Sequence, residues 1–135
     1  MQTDAMEALL ALATAHALAS RALEAQGLSF QELRLLLVLR AASAPGRRPT
    51  ELAHELHLSP SGVTRALLPL EKRGIVERQR DPNDARASLT ALTPVGCTLV
   101  DEAVNVAGDR AAKLLRRLSV GQTKQLQRLL EEVGR

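Results

Sequence analysis

The fold is decided by residues 49–65, which read PTELAHELHLSPSGVTR. Apolar residues recur at helical spacing on both sides of a short interruption, LSP. Ser59 is a typical helix N-cap, and Pro60 takes the first helical position, where its missing N–H costs nothing. The stretch therefore predicts a helix over residues 51–57, a turn, and a second helix that runs to Arg73.

A β-hairpin is predicted after Gly74. Residues 75–92 read IVERQRDPNDARASLTAL, in which the Asp-Pro-Asn-Asp cluster at 81–84 is a turn sequence. We therefore expect strands over residues 75–80 and 86–92. The hairpin carries three arginines, Arg78, Arg80 and Arg86.

Outward from this centre, the chain predicts four further helices, over residues 4–25, 30–42, 94–118 and 120–133, and a loop over 43–49. This order predicts a mainly α fold with a small β-hairpin wing. A winged helix-turn-helix lobe would lie between long terminal helices.

Polar residues mark the predicted helix starts. Asp4 and Thr50 are the predicted N-caps of the first and third helices. Ser29 and Ser119 are each followed three residues later by Glu or Gln, which is the capping-box pattern.

The terminal helices carry apolar stripes for which a monomer offers few packing partners. We therefore expect a homodimer and one domain over residues 1–135. Its dimerisation region would be residues 1–28 and 94–135, and its winged helix-turn-helix lobe residues 29–93. The stripe of the fifth helix consists of Val95, Leu99, Ala103, Val104, Ala107, Ala111, Leu114 and Leu118.

The composition excludes several classes of protein. Among 135 residues with a formal net charge of +3, Phe30 is the one Phe, Tyr or Trp and Cys97 the one cysteine. Base stacking on aromatic platforms, internal disulfides and thiolate metal clusters are therefore not expected. We expect no signal peptide, since the first 15 residues lack a basic region, and no membrane-spanning run or catalytic motif is evident in the sequence. We expect a cytoplasmic protein that is not an enzyme and needs no cofactor.

The second helix of the central motif presents small and hydrogen-bonding residues. Its first two turns carry Ser61, Gly62, Thr64 and Arg65 on the face opposite its apolar residues. Such a helix can enter a major groove about 12 Å wide with its N-terminus first, and Arg65 can bond a guanine edge or a phosphate. The free N–H groups near Ser59 suit a phosphate.

The hairpin arginines suit the neighbouring minor groove, where arginine senses groove width. Arg86 lies nearest the tip on the returning strand, and Arg78 and Arg80 lie on the first strand. Asp84 is two residues before Arg86, so we expect its carboxylate to hold the Arg86 guanidinium in a charged pair.

Residues 30–96 resemble the MarR family of winged helix-turn-helix transcription regulators. The Asp-x-Arg of the wing and the Leu-Thr-Pro-x-Gly after it are specific in combination, whereas the flanking helices match in length and order only. The matching motifs are Thr50-Glu51-Leu52-Ala53, Leu58-Ser59-Pro60-Ser61-Gly62-Val63-Thr64-Arg65, Leu70-Glu71-Lys72-Arg73-Gly74-Ile75-Val76, Asp81-Pro82-Asn83-Asp84-Ala85-Arg86 and Leu92-Thr93-Pro94-Val95-Gly96.

The resemblance implies a repressor that a small molecule releases from DNA. It implies a homodimer built from the first, fifth and sixth helices, bound to a pseudo-palindromic double-stranded operator. It also implies a ligand site between the dimer helices and the DNA-binding lobe. His16 lies on the first helix, where it either lines this pocket, as the candidate contact for an effector such as an aromatic acid, or sits at the dimer seam.

Pro69 departs from the family pattern, which usually has a polar helix former at this position. Proline removes the hydrogen bond to the Arg65 carbonyl and clashes with it, at a cost of about 3 kcal/mol in an undistorted helix. We therefore predict a kink or an early break between Leu67 and Pro69.

Other interpretations remain open at this point. Pro69 and the small net charge are compatible with a winged-helix protein-interaction module that has lost DNA binding. His54 and His57 are three residues apart on one helix, a spacing that permits metal chelation, although solvated histidines are favoured. Arg47 and Arg48 either touch phosphates or lie in solvent, and Cys97 is interpreted as packed and inert rather than a redox sensor.

Overall fold

A computed structural model describes residues 1–42 and 44–135. These residues form six helices and one antiparallel hairpin, and none of the described helices is long and apolar enough to cross a membrane. The predicted loop over 43–49 includes Ser43, which lies outside the described residues. The elements are α1 Gln2–Ala22, α2 Phe30–Ala41, α3 Pro49–Leu56, α4 Pro60–Lys72, β1 Val76–Asp81, β2 Asp84–Leu92, α5 Pro94–Leu114 and α6 Val120–Val133.

The helix-turn-helix is confirmed, with α3 and α4 packed on each other. Ser59 caps α4 by accepting a hydrogen bond from the Gly62 amide at 3.0 Å, with Pro60 at the first helical position. The predicted Thr50 cap is wrong, because α3 begins at Pro49 with Arg48 as its N-cap and has no side-chain cap. Pro49 already fixes the first helical φ, so Thr50 lies inside the helix.

The predicted early break in α4 is wrong, since the helix continues past Pro69 to Lys72. Val63, Leu67 and Leu70 bury one face of α4 on both sides of the proline. Pro69 and Arg65 lie on the exposed side of α4. Water can therefore donate a hydrogen bond to the Arg65 carbonyl, which receives none from Pro69 because proline has no backbone N–H. The buried apolar face therefore keeps the backbone helical on both sides of Pro69. The kink at Pro69 stays a prediction.

The hairpin wing pairs β1 with β2 in a continuous register from Val76↔Leu92 to Arg80↔Ser88, with an irregularity between Arg80 and Asp81. The segment before α3 lies along the other edge of β2. Arg47 and Thr90 exchange backbone hydrogen bonds of 2.9 and 2.8 Å. The base of the wing is thereby attached to the start of the helix-turn-helix.

The Leu-Thr-Pro-x-Gly motif joins the wing to α5. The Thr93 hydroxyl accepts from the Gly96 amide at 3.0 Å and donates to the Gly74 carbonyl, which ties the start of α5 to the end of α4. A Cβ on Gly96 would collide with the Ile75 carbonyl oxygen. Only glycine therefore permits this close approach of α5 to the residue that precedes β1.

The capping boxes at Ser29 and Ser119 are confirmed, and two predicted helix ends are wrong. The first helix has Met1 as its N-cap and ends at Ala22, so Asp4 lies in its first turn and is no cap. The fifth helix ends at Leu114 rather than 118, because a tight turn leads directly into the Ser119 capping box.

The core is formed by α2, α3, α4, the wing base and one face of α5. The predicted α5 stripe is split: Ala103 and Ala107 are buried within the chain, whereas Val95 and Val104 are exposed. No residue of α1 or α6 is buried. Their exposed apolar side chains include Met6, Leu9, Leu10, Leu18, Leu126, Leu129, Leu130 and Val133.

Candidate nucleic-acid interface

The first two turns of α4 form an exposed polar face. Ser61, Thr64 and Arg65 are all exposed, because Val63 and Leu67 take the opposite face into the core. The Thr64 hydroxyl donates to the Pro60 carbonyl at 3.1 Å, which leaves its oxygen free to accept. Among the described residues, Arg65 forms no ion pair, so its guanidinium is available to an external partner.

The N-terminus of α4 offers fewer free amides than the sequence predicted. Pro60 has no N–H, and the Gly62 amide already donates to the Ser59 hydroxyl. That hydroxyl also lies 3.2 Å from the Ser61 hydroxyl. A phosphate at this helix end would therefore meet the Ser61 amide and hydroxyl rather than a set of free amides.

The wing brings its three predicted arginines together. Arg78, Arg80 and Arg86 are exposed and line one shallow depression of about 330 Å³. Arg78 also pairs with Glu71 of α4 at 3.2 Å, which connects the wing to the end of that helix. Arg80 and Arg86 form no such pair among the described residues, so they carry the unneutralised charge of the wing.

The predicted charged pair between Asp84 and Arg86 is wrong. The Asp84 carboxylate accepts from the backbone amide of Arg86 at 3.0 Å, and not from its guanidinium. A carboxylate two residues ahead on a turn reaches the amide more readily than the end of a long side chain. Asp84 therefore shapes the turn and leaves the Arg86 guanidinium free.

Arg47 and Arg48 both form ion pairs within the chain, and phosphate contact by either residue stays a prediction. Arg47 pairs with Glu51 at 2.9 Å and with Glu55 at 2.6 Å. Arg48 donates from Nε and Nη2 to Oδ2 of buried Asp81 at 3.0 and 2.6 Å. The pKa of Asp81 is lowered below its ordinary value, mainly by the hydrogen bond from the Asn83 amide and next by the hydrogen bonds from Arg48. Sequence reasoning missed this pair because its members lie 33 positions apart, Arg48 at the N-cap of α3 and Asp81 at the end of β1.

His16 lies on the exposed side of α1, apart from the α4 and wing residues. It lines a cavity of about 430 Å³ where α1 meets α2 and the α3–α4 turn. The His16 ring is 6.0 Å from the Phe30 ring between centroids, and its Nε2 is 3.4 Å from the Ser20 hydroxyl. The other lining residues are Glu24, Ser29, Gln31, Arg34, Leu56, His57 and Leu58.

His54 and His57 do not take part in a metal cluster within residues 1–42 and 44–135, where no three candidate ligands come together. His57 ends α3 in the left-handed conformation with φ 53°. Cys97 is half-buried, and the Arg40 guanidinium lies 3.9 Å from its sulfur.

The fold and this surface define a winged helix-turn-helix protein, and comparison with known proteins identifies its family. Residues 26–87 match the model of the MarR family. An HTH-type transcriptional repressor of Mycobacterium tuberculosis is 31% identical over 115 residues, covering 85% of this chain and 81% of the relative. The chain belongs to the MarR family.

Solved structures of that family have the same fold. A MarR family regulator from Streptomyces coelicolor in complex with DNA superposes with a TM-score of 0.86 at 24% identity, covering 99% of this chain and 88% of that chain. Wild-type MarR from E. coli in its apo form superposes with a TM-score of 0.76 at 26% identity, covering 90% and 93%.

Proposed function

We propose that this chain is a transcription regulator that binds an operator sequence in double-stranded DNA and represses transcription, acting by binding and not by catalysis. The observation that carries the proposal is the two-sided character of α4. Val63 and Leu67 fix one face in the core, and Ser61, Thr64 and Arg65 stand exposed on the other. The names of the relatives, which include repressors and a regulator solved with DNA, support it.

Two sets of residues make the DNA contacts in this proposal. Ser59, Pro60, Ser61, Gly62, Thr64 and Arg65 bring α4 into the major groove, where Arg65 reads a base edge. Arg80 and Arg86 reach the adjacent minor groove, while Arg78 and Asp84 shape the wing. Phosphate contacts then fix the register, and Arg65 supplies base specificity.

The DNA-binding unit of this proposal is a homodimer. Residues 29–93 form the DNA-binding lobe, and residues 1–28 and 94–135 form the dimerisation region. The exposed apolar side chains of α1 and α6 support this division, because rows of this kind are usually covered by a partner. Two α4 helices about 34 Å apart would meet successive major grooves of a pseudo-palindromic operator.

The cavity beside His16 is the proposed effector site. Phe30, Leu56 and Leu58 supply apolar wall, while His16, His57 and Arg34 supply groups that can meet a carboxylate. This mixture fits a small aromatic acid. In the proposal, an acid bound there releases the operator, and His16→Ala keeps operator affinity while it reduces the response to the acid.

Selection of bound sequences from random duplex DNA tests the proposal. We expect a pseudo-palindromic consensus and an affinity that falls steeply with salt concentration, because phosphate contacts release counterions. Repeating the binding measurement with benzoate-type acids tests the release. The absence of any salt-dependent binding to duplex DNA would contradict the proposal and favour a protein-interaction module.

A further inference from the structure

Asp81 is a buried carboxylate at the point where the wing turns. Its side chain is 7% exposed, although it lies in a hairpin whose neighbouring residues are exposed. Oδ2 accepts both hydrogen bonds from Arg48, and Oδ1 accepts from the Asn83 amide at 2.9 Å. A buried carboxylate with a forked arginine partner holds its surroundings in one geometry.

Arg48 connects this turn to the helix-turn-helix. It is the N-cap residue of α3, and its neighbour Arg47 pairs through its backbone with Thr90 of β2. A Cβ on Gly46 would lie 2.5 Å from the Thr90 carbonyl oxygen, so this segment packs closely on the wing base. The wing is thus attached at its base by backbone hydrogen bonds and near its tip by the Arg48 side chain.

Asp81 also sits between the exposed arginines of the wing. Arg80 precedes it at the irregularity in the register, and Arg86 follows five residues later across the turn. If Asp81 moved, the turn and both arginine side chains would move with it, whereas the paired base at Thr90 would stay in place.

We propose that Arg48 and Asp81 are positioning residues for DNA binding, because their ion pair fixes the direction in which the wing presents Arg80 and Arg86 to the minor groove. The inference rests on the proposed function. It assigns a role to two residues that need make no contact with DNA themselves.

Asp81→Asn gives the sharpest test, because charge and geometry predict opposite results. The variant loses one negative charge, so its net charge is more positive by one. General electrostatics therefore predicts operator binding as tight as wild type or tighter. Loss of wing position predicts binding that is about tenfold weaker, the size of one lost arginine contact. We expect the weaker binding in a fluorescence-anisotropy titration at fixed salt.

Arg48→Gln and Arg47→Gln form a matched pair. Both remove one positive charge from the same segment, but among the described residues the hydrogen bonds of the Arg47 side chain go to Glu51 and Glu55 of α3 and not to the hairpin. We expect Arg48→Gln to weaken operator binding about tenfold and Arg47→Gln to change it less than threefold. Equal losses in the two variants would overturn the proposal.

A double-mutant cycle separates positioning from a general loss of structure. If Asp81 acts through Arg80 and Arg86, adding Asp81→Asn to the variant Arg80→Ala/Arg86→Ala should weaken binding by no more than about a further twofold, with the two arginine changes treated as one side of the cycle. The proposal would be overturned if the fold-losses in operator affinity from the Asp81 and arginine changes multiplied in the combined variant. It would also be overturned if Asp81→Asn bound the operator like wild type. Should Asp81→Asn fail to fold, Arg48→Gln decides in its place, because its side chain is 40% exposed.

The same titrations distinguish failure of this inference from failure of the proposed function. If wild type does not bind duplex DNA, the proposed function itself is wrong. If wild type binds and Arg86→Ala weakens binding, but Asp81→Asn and Arg48→Gln do not, then only the positioning role is wrong.

Discussion

Replacing Pro69 with alanine should stabilise the protein. Pro69 lies inside α4, a helix that continues to Lys72, and its side chain is exposed. Alanine restores the backbone N–H that can donate to the Arg65 carbonyl. One such hydrogen bond is worth about 0.5–1.5 kcal/mol, and the full difference between proline and alanine in a helix interior is about 3 kcal/mol. We expect Pro69→Ala to raise the free energy of unfolding by about 1–3 kcal/mol.

Urea denaturation at one fixed protein concentration measures this change, since self-association makes apparent stability depend on concentration. Leu68→Ala is the control, because it shortens an exposed neighbour in the same helix and leaves the backbone hydrogen bonds as they are. It should not stabilise the protein. An unchanged or lower free energy of unfolding for Pro69→Ala would refute the reasoning, and would mean that the surrounding structure is built around the proline.

Two further predictions concern the wing and its junction with α5. Gly96→Ala should lower the free energy of unfolding by about 1–3 kcal/mol, because the added Cβ meets the Ile75 carbonyl. Gly108→Ala in the same helix is the control: its Cβ meets nothing, so it should raise the free energy of unfolding by up to about 1 kcal/mol. Equal effects of the two variants in urea denaturation would contradict this prediction. The pKa of Asp81 lies below its ordinary 3.8, so its stabilisation is present above that pH and is lost as the pH falls through the folded-state value. The stability difference between wild type and Asp81→Asn should therefore shrink below pH 3.8, and a constant difference would contradict it.

The sequence predicted the helix-turn-helix because its signals are local. Ser59 and Pro60 determine the start of α4 within one turn, and Ser29 and Ser119 act in the same way at their helices. The Asp-Pro-Asn-Asp cluster likewise determines the hairpin turn. Short-range hydrogen bonds and fixed φ values need no knowledge of the rest of the fold.

The errors arose where distant contacts or competing local bonds decide the outcome. The unbroken α4 depends on the burial of Leu67 and Leu70, which outweighs the local cost of Pro69. The Arg48–Asp81 pair joins residues 33 positions apart, so no spacing rule could find it. Opposite charge favours a bond between Asp84 and the Arg86 guanidinium, but the Arg86 amide lies within shorter reach of the carboxylate and takes the bond instead.

The most direct test of the account is the affinity of the selected operator for wild type, Arg65→Ala and Arg86→Ala at one salt concentration. Lys124→Ala is the charge-matched control, because it removes one exposed positive charge from α6. We expect Arg65→Ala to weaken the free energy of operator binding by about 1–3 kcal/mol and to relax the base preference. Arg86→Ala should weaken binding evenly across sequences, and Lys124→Ala should have little effect. Wild-type affinity in both arginine variants would contradict the assignment of α4 and the wing as the DNA-binding surface.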